Sequence, residues 1–203
     1  LVKNFAGQWL YLRNLRVVSP DPEVFPYFDD NLRDAFRQET ELFFESMLRE
    51  DRSVLDLLDA DFTWVDRRLA ELYGLKVPGG FDAGEWKRVS LAGTPRGGLL
   101  TQASVLTVTS NPTRTSPVKR GKWVLENILG APPAPPPPDV PALEDAQAKS
   151  ETTAPSQREL LALHRADPKC ASCHARMDPP GLAMENFNAF GRLRTHESGK
   201  TID

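Results

Sequence analysis

Hydrophobic positions recur at helical spacing through the first half of the chain. Phe5, Trp9, Leu12 and Leu15 share one stripe, which predicts a helix over residues 3 to 17. The stretch "SPDPEVFPYF" breaks that pattern. A second helix is expected over about residues 30 to 49, with Leu32, Phe36, Phe43 and Met47 on one side and Arg33, Arg37, Glu41 and Glu45 elsewhere. "SVLDLLDA" predicts a short helix. Thr63 then stands as the cap of "TWVDRRLAELYG", with an acidic residue three positions on and Gly74 as the stop.

Beyond Gly74 the period changes. Trp86 to Leu91 alternates and predicts a strand. "PRGGLLTQASVLTVTS" reads as one helix ending near Thr109, and "NPTRTSP" as a loop. Ser116 caps the next helix, Pro117 takes its first position, and "VKRGKWVLENIL" runs to Gly130. Six prolines between positions 132 and 138 then favour an extended polyproline segment spanning roughly 20 Å at about 3.1 Å per residue. It reads as a stiff spacer or as a strap laid on a neighbouring surface. "EDAQAKSETTAPS" is polar. Ser156 and Glu159 form a capping box before "LLALHRADP".

The pattern therefore predicts a mainly α protein in three parts. Residues 1–130 form a helical module, 131–155 a proline-rich and polar connector, and 156–203 a small second module. No apolar run reaches transmembrane length. A net charge of −3 gives no global electrostatic case for nucleic acid or an anionic membrane. The chain opens and stops in mid-pattern, and is read as a segment of a longer protein.

Chemistry concentrates at "CASCHARMDPPG". Cys170, Cys173 and His174 form C-x-x-C-H, the pattern of covalent c-type haem attachment. The two thiols stand one helical turn apart, suited to the two vinyl groups of a haem, and His174 follows as an iron ligand. A thioredoxin-like dithiol would sit in a βαβ unit, which is not found here. A zinc site would need Cys170, Cys173 and two of His164, His174 and His196 at unusual spacing. A carbonyl in the Met177–Gly181 turn, with Pro180 as candidate, is expected to orient the His174 ring. The alternative is a turn that only ends the haem helix. Arg114 and Arg120, with Lys119, could cradle the haem propionates, or form a solvated basic loop.

The second axial position is open to several groups. Met177 lies on the His174 side, and Met184 follows too soon after the turn to go round the haem. His164 is the favoured candidate, beside His196, an outside group and water.

Several long stretches carry a resemblance. "NFAGQWLYLRNL", "FFESMLREDRSVLDLLDADFTWVDRRLAELYG", "RGGLLTQASVLTVTSNPTRTSPVKRGKWVLENILGAPPAPPPPDVP" and "HRADPKCASCHARMDPPGLAMENFNAFGRLRT" resemble large cytochrome c-containing proteins that abound in planctomycetes and related bacteria. These are grouped as families of unknown function. The resemblance implies a haem c cofactor, export to the periplasm or another extracytoplasmic space, and a multi-module parent. Partners would be a redox protein or other modules of that parent. The function expected is electron transfer through one covalent haem. The alternatives are a haem enzyme of peroxidase or oxidase type with an open iron site, and a partner- or carbohydrate-binding scaffold.

Overall fold

The computed structural model describes residues 1–135, 156–197 and 199–202. Most of the connector, residues 136–155, lies outside them, and with it three of the six clustered prolines. The described residues are mainly helical, with two short antiparallel strand pairs. They group into two compact units. The first comprises 1–114 and 187–193, the second 115–186 and 194–203.

In the first unit, α1 (Val2–Trp9) is followed by Tyr11, whose positive φ of 59° turns the chain into a 3₁₀ segment, Leu12–Arg16. One continuous helix was expected here. The break leaves Phe5 half exposed while Leu12 and Leu15 are buried. Helix α2 (Asp30–Arg49) has the expected limits, because the Asp29 carboxylate accepts from the Leu32 amide. Leu32, Phe36, Phe43 and Met47 are all buried along it. A single-turn α3 (Asp56–Asp59) follows.

The segment from Thr63 differs from expectation. Phe62–Val65 is strand β1, and helix α4 (Arg67–Tyr73) begins after it, capped by Asp66 rather than Thr63. Its stop, Gly74, is in the left-handed region as predicted. β1 pairs antiparallel with β2 (Lys87–Ser90), Phe62 opposite Ser90. The helix expected from Pro95 is also shorter. A 3₁₀ turn, Leu99–Thr101, precedes α5 (Ala103–Val108). Gly98 sits at φ 54° so close to the Leu57 and Leu58 carbonyls that a side chain there would collide with them.

The core of this unit joins Leu32 and Phe36 of α2, Val65 of β1, Leu69 and Tyr73 of α4, and Ala103 of α5. Segment 187–193 completes it. The Phe190 ring is fully buried, edge-on to Phe25 at 4.1 Å and stacked on Phe28 at 5.4 Å.

In the second unit, Ser116 and Pro117 start α6 (Pro117–Trp123) as the sequence predicts, and the chain continues as a π-helical turn, Val124–Ile128. Residues 115–130 group with the Cys170–His174 segment in this unit. Helix α7 (Gln157–His164) carries the expected Ser156–Glu159 capping box. Helix α8 (Pro168–Leu182) is capped by Asp167. A small hairpin, β3 (His196–Glu197) and β4 (Lys200–Thr201), closes the described chain. Among the described residues no helix is long and apolar enough to cross a membrane.

Two glycines fix how α6 meets α8. A methyl group at Gly121 would collide with the Met177 carbonyl, and one at Gly181 with the Pro117 carbonyl. The two backbones are therefore in direct contact. The expected turn at Met177–Gly181 does not form; Pro179 and Pro180 lie inside α8. Each removes a helical donor, a cost normally enough to end a helix. Burial of Met177, Asp178, Gly181 and Leu182 holds this stretch in place.

Candidate functional site: the Cys170–His174 helix

Helix α8 begins just ahead of the motif. Pro168 occupies its first turn, where a missing N–H costs nothing, and the Asp167 carboxylate accepts from the Lys169 amide at 2.8 Å. Cys170 and Cys173 are one turn apart on this helix, and His174, four positions after Cys170, lies on the same side of it. Both cysteines are free thiols, partly exposed. The His174 side chain is 15% exposed.

His174 is held from its own helix. Its Nδ1 lies 2.9 Å from Oδ1 of Asp178, one turn further on. Asp178 has no exposed surface, and its other oxygen, Oδ2, is 3.2 Å from Nη1 of Arg165. An ionised carboxylate only accepts hydrogen bonds, so Nδ1 carries the proton and donates it. The Nε2 lone pair of a neutral His174 is then the ring's remaining donor atom for a metal. The orienting group is thus the Asp178 carboxylate, where a Pro180 carbonyl was expected. Because α8 continues through the two prolines, position 178 stays in helical register with 174 and delivers its side chain to the ring.

His164, at the end of α7, stands edge-on to His174 with ring centres 4.8 Å apart and planes at 68°. Burial, and then the neighbouring His174, lower the His164 pKa from the usual histidine value. His164 is thus a direct neighbour of the expected ligand. The other candidates are placed as follows. Met177 and Met184 are buried, whereas His196 is exposed on β3 with Nδ1 3.0 Å from the Thr195 hydroxyl. Among the described residues no three His, Cys, Asp or Glu side chains are disposed to hold a metal ion together.

Arg120 and Arg114, the expected propionate cradle, have different surroundings. Arg120 is fully buried and donates from Nη1 to the Met184 carbonyl at 2.7 Å. It faces inward because α6 packs its Gly121 side against α8. Burial draws its pKa down to about 10, while the Glu185 charge opposes that shift. Glu185 is itself pushed up by burial, against the pull of Thr115, Arg194 and Arg120. Thr115 donates to Glu185 Oε1 at 2.7 Å, and Arg194 reaches both Glu185 and Thr115. Arg120 therefore belongs to a buried network that ties the α6 end to the chain after α8. Arg114 falls in the first unit, where its carbonyl accepts from the Asn111 amide.

Asp178 and Arg165 escaped sequence reading. Reading "DPP" as a turn took Asp178 off the helix, and with it the i, i+4 relation to His174 that would have signalled the pair.

A search of curated proteins and one of solved structures returned no match. Two family models do match. Residues 1–75 match PSD4, a protein of unknown function (DUF1592), and residues 96–197 match PSCyt3, a protein of unknown function (DUF1588). Both domains occur in multi-domain planctomycete-type cytochrome c proteins. The second match spans just over half of the chain and includes the whole Cys170–His174 motif, and the chain accordingly belongs to the PSCyt3 (DUF1588) family.

Proposed function

We propose that the second unit is a c-type haem module that transfers electrons within a larger exported protein. Cys170 and Cys173 would hold the haem by thioether bonds, and His174 would ligate its iron through Nε2. The observation that carries this reading is the state of the donor set on α8. Two free, partly exposed thiols lie one turn apart, next to an imidazole whose Nδ1 is already engaged by Asp178. Haem, when bound, supplies a one-electron iron couple. The protein's own part is to fix the ring, to pack Met177 and Leu182 into the apolar interior beneath α8, and to anchor that helix to α6.

The dithiol alternative loses support because the motif starts a helix that follows another helix, with no preceding strand. One observation favours a second haem reading, an enzyme of peroxidase or oxidase type. His164 is packed against His174, so a haem held by Cys170, Cys173 and His174 alone would supply an iron open to oxygen or peroxide.

The test is maturation of the chain in a host that attaches haem, compared with Cys170→Ala, Cys173→Ala. The unmutated chain should retain haem through acid–organic extraction and the double variant should lose it. A low-spin oxidised spectrum would support electron transfer. A high-spin spectrum would favour the enzyme. Haem extracted equally from both chains would defeat both readings.

A further inference from the structure

We propose that Asp178 is a positioning residue that sets the donor strength of His174 toward iron, and that Arg165 moderates it; this rests on the haem reading above. A ligating imidazole is tuned by whatever its other nitrogen meets. A backbone carbonyl there is a neutral acceptor. Here the acceptor is a carboxylate, 2.9 Å from Nδ1 and without solvent exposure. Water does not screen the charge at such a site, so its hold on the Nδ1 proton is stronger than at the surface.

The consequence follows from electron density. The further the Nδ1 proton is drawn toward Asp178, the more imidazolate character the ring takes. Nε2 becomes a stronger donor, and a stronger donor favours the more oxidised iron. Asp178 therefore lowers the reduction potential of a haem held by His174. The second carboxylate oxygen faces Arg165 at 3.2 Å. That cation draws charge off the carboxylate and acts in the opposite direction. Its side chain is 30% exposed, so water weakens its effect. The two partners come from different elements, His174 from the turn before Asp178 on α8 and Arg165 from the end of α7. The carboxylate thus also fixes the α7 end beside the ring.

The test uses the full chain matured with haem, its midpoint potential, and the iron–histidine stretch of the ferrous form after photolysis of bound carbon monoxide. That form makes the stretch independent of the second axial ligand. Asp178→Asn keeps shape but removes charge. It should lower the oxidised-to-reduced ratio at fixed applied potential about tenfold, equivalent to about 59 mV more positive for a one-electron couple. It should also lower the stretching frequency. Arg165→Gln should move both quantities the other way, and by less. Being partly exposed, it also tests the proposal independently of how well the Asp178 variant folds. A merely structural pair would shift both variants in one direction, which would overturn the proposal. So would an unchanged stretch beside a changed potential, since that is the mark of charge acting through space alone. If the unmutated chain carries no covalent haem, the haem reading fails and this inference fails with it. If it carries haem and both variants match it, only this inference fails.

Discussion

At Glu39 burial and hydrogen bonding oppose each other. The side chain has no exposed surface, and burial pushes its pKa up to about 7 from 4.5. Tyr73 and Thr63 each donate to it at 2.7 Å, and Arg96 lies near enough to oppose the rise. Tyr73 also accepts from the Ala103 amide at 2.7 Å, and its ring carries the Arg96 guanidinium 3.8 Å above its centre. Because the folded state holds this proton more tightly than the unfolded chain, stability falls as pH rises from about 4.5 to about 7. The loss amounts to about 3 kcal/mol across that window and stops above it. Glu39→Gln cannot titrate. Denaturant unfolding followed by tryptophan fluorescence should therefore show the wild type losing stability relative to Glu39→Gln between these pH values. Parallel curves would contradict the assignment. The apolar stripe Leu32–Phe36–Phe43–Met47 already pointed position 39 inward, but a glutamate in a stripe gives no sign of its partners. Those come from β1, α4 and α5, distant in sequence.

At the scale of elements, caps and stops were the legible features. Gly74, Ser116 with Pro117, and the Ser156–Glu159 box all mark boundaries seen in the structure. Each acts on its own neighbouring amides, so local sequence suffices. Misreadings arose where a distant partner decides. β1 exists because β2 pairs with it, which displaces the helix start from Thr63 to Asp66. Pro179 and Pro180 stay helical because α6 packs against α8, with Gly121 and Gly181 at the crossing. That contact gives a direct prediction. Gly121→Ala or Gly181→Ala should destabilise the second unit by about 1–3 kcal/mol through forced separation of the helices. Amide exchange should quicken along α6 and α8 while α2 keeps its protection. Unchanged exchange in α8 would show that the crossing tolerates a methyl group.

The whole chain divides by contacts in a way that no composition shift announces. Segment 187–193 belongs to the first unit although it lies between residues of the second. The aromatic Phe190 explains its membership, since it completes the core built by Phe25, Phe28 and Phe36. The proline-rich stretch was the visible landmark, and three of its six prolines fall outside the described residues. Spacing alone singles out Cys170, Cys173 and His174, but it does not bring Asp178 and Arg165 to their side. Arg120, expected in a propionate cradle or a solvated basic loop, is fully buried. His164, the favoured second ligand, stands edge-on to the ring of His174, a contact that spacing does not announce.

The account of this molecule turns on whether α8 carries a covalent haem. The most direct measurement is the intact mass of the 203-residue chain after expression with and without haem-attachment machinery. With the machinery, the mass should rise by one haem, and the added mass should map to the peptide containing Cys170 and Cys173. An unaltered mass in a chain shown to be folded would contradict the account.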